Sequence, residues 1–135
     1  ERIARHGGAG LFVDYGYLEP GIGDTFQALR RHRYEDVLQN PGQADLTAHV
    51  DFHALAAAAR AQGLAAGLTT QGAFLLAMGL LERAGRLGAN ADEAGRQSIA
   101  DAVERLAGPQ AMGELFKVMA VLPKGVSAPP FDAGN

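Results

Sequence analysis

The chain has 135 residues, with 12 Lys and Arg against 15 Asp and Glu, a net charge of −3, 47% apolar and 20% charged residues. That composition fits a soluble globular domain with enough apolar side chains for a core, and its weak negative charge gives no reason to expect nucleic acid or an anionic membrane as partner. Without cysteine, disulfides, thiolate catalysis and cysteine metal sites are excluded, and no apolar run reaches the ~18 residues of a membrane span.

The first residue is Glu1 and the earliest methionine is Met78, so the sequence reads as a piece of a longer chain. Its opening stretch, Gly7-Gly8-Ala9-Gly10-Leu11-Phe12-Val13-Asp14-Tyr15-Gly16, is a continuous apolar run between a glycine pair and an Asp-Tyr-Gly turn. Such a run predicts a strand buried on both faces in a parallel sheet. Residues 17–24, with Pro20, Gly21 and Gly23, read as a mobile loop. Residues 25–38 mix Phe26, Leu29, Val37 and Leu38 with the basic run Arg30-Arg31-His32-Arg33, and their irregular spacing suggests one short helix or strand. Asn40-Pro41-Gly42 is a turn.

Asp51 is a candidate N-cap for a helix whose Phe52, Leu55, Ala56 and Ala59 form one apolar face, ending near Gly63. Residues 64–70 read as a strand. A second helix follows Gln71-Gly72, with Phe74, Leu75, Met78 and Leu81 at helical spacing and Glu82 within reach of Arg86. Asn90 or Asp92 can cap a third helix that turns Ile99, Val103 and Leu106 inward, pairs Asp101 with Arg105 and stops at Gly108-Pro109. A helical turn over 111–116, a last strand over 117–122 and a tail over 124–135, loose or packed as a coil, complete the prediction. Strands alternating with helices describe an α/β fold. An opening strand this apolar needs neighbours on both edges, so the expectation is a larger sheet whose earlier strands lie upstream of Glu1.

Open α/β sheets place ligands beyond the carboxyl ends of their strands, which makes Asp14 and Tyr15 the first site candidates; both also suit a plain turn at the sheet end. His49, between Thr47 and Asp51, can serve as an acid or base or bind a polar substrate group, or can lie on the surface while Asp51 only caps. Gln71 falls at the end of the second strand, as a crevice residue or as part of the helix start. Gly21-Ile22-Gly23 lacks the following helix of a phosphate loop. The basic run can meet an anionic partner or simply be solvated. His6, His32 and His53 show no metal spacing, so no metal is expected.

Taken together, residues 7–122 resemble a known family. Arg5-His6-Gly7-Gly8 leading into Leu11-Phe12-Val13-Asp14-Tyr15-Gly16 looks like the fifth strand of a class I S-adenosylmethionine-dependent methyltransferase. Gly23-Asp24-Thr25-Phe26-Gln27-Ala28, Asp36-Val37-Leu38, Pro41-Gly42, Ala44-Asp45-Leu46-Thr47-Ala48-His49-Val50-Asp51-Phe52, Thr70-Gln71-Gly72-Ala73-Phe74-Leu75 and Met112-Gly113-Glu114-Leu115-Phe116-Lys117-Val118 resemble, in this order, the MidA-type methyltransferases. These are relatives of the mitochondrial complex I assembly factor that methylates a protein arginine.

The resemblance implies a Rossmann-like domain represented here by its carboxyl-terminal portion, residues 1–123. It implies S-adenosylmethionine as cofactor and methyl transfer to a protein arginine by the parent protein. The partners it implies are a protein substrate, such as a respiratory complex I subunit, and the missing amino-terminal half of the domain. Nucleic acid and membrane insertion are not expected. By motif position, Asp14, His49 and Asp51 are implied as catalytic residues, with Tyr15, Thr47 and Gln71 on the substrate side. The glycine-rich loop and ribose-binding acid fall in the portion not matched, so this chain alone is not expected to bind the cofactor tightly. The alternative is a non-catalytic assembly module that has lost cofactor binding. A bacterial source implies the cytoplasm and a eukaryotic one the mitochondrial matrix.

Overall fold

The structure, a computed structural model, describes residues 1–131. It contains a short helix α1 (Arg2–His6), strands β1 (Gly10–Tyr17), β2 (Gln27–Arg30), β3 (Arg33–Glu35), β4 (Asp45–Thr47) and β5 (Val50–Asp51), then helix α2 (Phe52–Ala61) and strand β6 (Leu64–Thr70). Helices α3 (Gln71–Ala77), α4 (Leu80–Gly88), α5 (Glu93–Ala107) and α6 (Met112–Leu115) lead to the last strand, β7 (Phe116–Pro123).

The main sheet has the order β5-β1-β7-β6. Parallel pairing joins β1 to β5 at only two positions, Gly16 opposite Val50 and Tyr17 opposite Asp51. Antiparallel β7 lies between β1 and β6, so these two strands run the same way and end at the same side of the sheet. The all-parallel surroundings expected for β1 are therefore corrected: its long neighbour is antiparallel.

Burial on both faces is corrected as well. Leu11, Phe12 and Val13 are 56%, 48% and 47% exposed, because the edge opposite β7 meets β5 only at its last two residues. At that meeting the backbones nearly touch, and a Cβ on Gly16 would strike the Val50 carbonyl. Glycine is required here by space, and lets β5 deliver Phe52 directly under the sheet.

Two apolar clusters flank the sheet. On one face, Phe52 and Ala56 of α2 pack with Leu64, Ala66, Met119 and Val121. On the other, Val118 and Ala120 pack with Phe131, whose ring stacks on Phe74 at 5.8 Å and lies across Gly67. Phe131 is buried, so the tail packs on the sheet at that point; residues 132–135 of the expected tail lie outside the described residues.

Several local readings hold. Asp51 caps α2 and Asp92 caps α5, accepting from Ala54 N–H and Gly95 N–H at 2.8 Å each. Gly63, at φ 75°, follows the end of α2, and Gly108-Pro109 ends α5. Others change. The single helix expected after Gln71 is broken between α3 and α4 at Gly79, whose φ of 86° places it in the left-handed region. Among the described residues Glu82 and Arg86 form no ion pair, and Asp101 accepts from Gln97 rather than meeting Arg105.

The largest departure is a second, three-stranded sheet in the order β3-β2-β4. The basic run is its hairpin: Arg30 faces Arg33 across a two-residue turn whose Arg31 and His32 have φ of 52° and 62°. Such turns match the twist of paired strands, with glycine or asparagine their usual occupants. Arg30 Nε lies 2.9 Å from Glu35 Oε2, which offsets one positive charge of the run.

Candidate functional site

Strands β1 and β6 deliver their carboxyl ends to the side of the sheet where β7 begins. There Asp14, Lys117 and Thr70 form one row across three strands, followed by Tyr15 opposite Phe116. The Lys117 ammonium donates to the Glu114 carbonyl, which fixes the start of β7 against α6.

The second sheet approaches this end. Asp24 accepts the Phe26 N–H at 2.8 Å and turns the chain into β2. Thr25 Oγ1 then accepts the His49 N–H at 3.1 Å, tying the segment after β4 to the segment before β2. Between the sheets lies a cleft of about 320 Å³ whose walls include Tyr15, Tyr34, Asp45, Thr47, His49 and Phe116. Tyr15 contacts Phe116 edge to face, with centroids 5.6 Å apart and planes at 88°, and contacts His49 at 5.9 Å and 62°. Thr47 Oγ1 is shut from solvent and has no hydrogen-bond partner, an arrangement proteins rarely tolerate outside sites where something else binds.

Of the six residues singled out from sequence, Tyr15, Thr47 and His49 come together in this cleft. Asp14 does not join them, because successive strand residues point to opposite faces. It lines a separate groove of about 410 Å³ beside the open edge of β1, with Phe12, Val50 and Leu55; its Oδ1 accepts the Tyr15 N–H at 2.9 Å. Gln71 is buried and its Nε2 donates to the Leu106 carbonyl at 2.9 Å, joining α3 to the end of α5.

Asp51 caps α2 away from the cleft, accepting the Ala54 N–H. Partial burial raises the Tyr17 phenol above its ordinary range, and the neighbouring Asp51 carboxylate adds to the rise. Replacing Asp51 with alanine is expected to cost about 1 kcal/mol of stability through the lost cap. Asparagine, which still accepts the Ala54 N–H, should restore most of it in a urea titration.

Tyr34, Asp45 and Phe116 were not anticipated as site residues. The signal was present in Gln27-Ala28-Leu29 and Asp45-Leu46-Thr47, whose alternation marks short strands with one face turned to a common neighbour. Arginines at the turn, where glycine or asparagine is usual, hid the hairpin. No group of three or more His, Cys, Asp and Glu side chains suited to a metal gathers among the described residues.

A family profile described as "Putative S-adenosyl-L-methionine-dependent methyltransferase" matches residues 1–71. Among curated proteins, the chain is similar to the mitochondrial protein arginine methyltransferase NDUFAF7 of Danio rerio, 41% identical over 121 residues that cover 90% of this chain and 28% of the relative. The Homo sapiens protein of that name is 40% identical over 124 residues, covering 91% and 28%. The Drosophila melanogaster homologue is 40% identical over 134 residues, covering 98% and 30%. A solved structure of a COG1565 superfamily member from Burkholderia thailandensis, bound to S-adenosyl-homocysteine, superposes with a TM-score of 0.73 at 32% identity, over 92% of this chain and 35% of that one. The chain thus spans less than a third of the curated relatives it matches.

Proposed function

This chain belongs to the S-adenosyl-L-methionine-dependent methyltransferase family, and we propose that it forms the carboxyl-terminal, substrate-facing part of an enzyme that methylates a protein arginine. The observation that carries this reading is the cleft at the end of β1, where aromatic rings surround polar groups able to receive a planar cation. A guanidinium stays charged at neutral pH, presents its N–H donors in a rigid plane and stacks on aromatic faces. Tyr15 and Phe116 offer such faces, while Thr47 Oγ1 offers an acceptor without a partner. His49 stands where it can accept a hydrogen bond or a proton from the nitrogen being modified, with the Tyr15 ring against it.

The cofactor, when bound, supplies the methyl group on a positively charged sulfur. Its site is not built by the described residues alone. Gly21 and Gly23 lie in an irregular loop that leads into a strand, and Ile22 between them is fully exposed; this is not the glycine turn into a helix that cradles a cofactor of this kind. The open edge of β1, with Leu11, Phe12 and Val13 uncovered, supports pairing with an earlier strand of the same domain. We extend the proposal, on the family resemblance, to a respiratory complex I subunit as substrate. The names of the curated relatives support a mitochondrial location for a eukaryotic source; we extend this to the matrix, and a bacterial source would place the protein in the cytoplasm.

The test is calorimetric titration of S-adenosylmethionine into this chain and into its full-length gene product, with methyl transfer to an arginine peptide followed for the latter. Binding and transfer by the full-length protein only are expected. Tight binding by this chain alone would overturn the division of labour. Binding by neither would favour a non-catalytic assembly module.

A further inference from the structure

We infer that the small β3-β2-β4 sheet supplies the charge-selective wall of the substrate cleft, with the Asp45 carboxylate pairing with the substrate's cation and Tyr34 covering its planar face. This deepens the arginine reading above and rests on it.

Register brings the two residues together. Leu29 of β2 pairs with Tyr34 on one side and Asp45 on the other, so the three form one row across the sheet. The next row in the same phase pairs Gln27 with Thr47. Since side chains alternate between faces, these rows share one face, and all five residues line the cleft. The rows out of phase with these, buried Ala28 with Glu35 and Leu46, and Arg30 with Arg33, belong to the other face, where Glu35 engages Arg30.

The sheet therefore sorts its charges, with the arginines behind and Asp45 in front. Asp45 makes no ion pair among the described residues, which leaves its negative charge open to a ligand. Two residues along β4, the unpartnered Thr47 Oγ1 provides an acceptor on the same wall. A carboxylate, a free hydroxyl and tyrosine rings are complementary to a guanidinium, and the carboxylate discriminates against a neutral group of the same shape. Asp14 and Asp51 cannot fill this role, because one lines the separate groove and the other caps α2.

Citrulline keeps the shape of arginine and removes its charge, which makes it the discriminating probe. Binding of a short Gly-Ser peptide with one central arginine, and of its citrulline counterpart, should be measured by calorimetry with the full-length protein and its Asp45→Asn and Asp45→Glu variants. The wild type is expected to prefer arginine, Asp45→Asn to lose about tenfold in arginine affinity with citrulline binding unchanged, and Asp45→Glu to recover part of the preference. Asp45 is exposed on a short strand, so melting temperatures should stay unchanged. An Asp45→Asn protein that keeps the wild-type preference overturns the inference, as does a wild type with no preference. In either case, methylation of the arginine peptide by the wild type shows whether the arginine reading itself survives.

Discussion

Replacing His49 with alanine in the full-length gene product is expected to lower methyl transfer to an arginine peptide by about 100-fold, the lower end of what a positioned acid or base contributes. His49 has the location for that role. Its backbone is fixed by Thr25, its ring meets Tyr15 edge-on, and it lines the cleft outside both apolar clusters. Losing the imidazole removes one aromatic contact, a matter of about 1 kcal/mol, so the fold should stand. Turnover with saturating S-adenosylmethionine, together with a thermal melt, separates the two effects. Normal turnover in His49→Ala would sink the assignment. Asp14→Ala in the same assay reports on the groove beside the open edge, and a loss there would extend the functional surface beyond the cleft.

For stability, the most damaging single change is Phe52→Ala. Phe52 is 1% exposed and anchors the cluster between α2 and the sheet, and its ring also lies against the position where a Gly16 Cβ would stand. Truncation of a buried phenylalanine costs about 3–5 kcal/mol, combining lost burial with a cavity that close neighbours cannot fill. Set against the 5–15 kcal/mol typical of a whole domain, such a loss removes about a fifth of the stability at the least and all of it at the most. Urea unfolding of the full-length variant checks it. A shift below about 1 kcal/mol would mean that α2 repacks, and that Phe52 is not the fixed point between β5 and the core.

Much of this architecture was legible because four segments obey a single period. The apolar face of α2, the runs of β6 and β7, and the Asp92-capped α5 each carry their own signal in side-chain spacing. Where the reading failed, the deciding force lay outside the segment. The strands of the small sheet are three or four residues long, too short for alternation to stand out, and they are fixed by one another and by Thr25. Gly79 breaks a helix whose apolar spacing continues across it, so backbone conformation overrode pattern. In β1, sequence reported what the strand is suited to bury, whereas exposure reports what covers it in this chain. For the site, chain position suggested Asp51 and Gln71, but their hydrogen bonds to Ala54 and Leu106 give both structural work. Asp45 and Tyr34 escaped because only strand register reveals that they share a row.

The placement of β7 has a consequence for how the protein is made. It is the last strand among the described residues, yet it sits between β1 and β6, with Gly10 opposite Val121 and Leu64 opposite Pro123. During synthesis the edges of β1 and β6 that face each other in the finished sheet leave the ribosome before the strand that fills the gap between them, and β1 meets β5 at only two positions. Pairings so distant in sequence close slowly and leave sticky edges open meanwhile. The main sheet is therefore closed last by β7, which joins β1 and β6 in a single step.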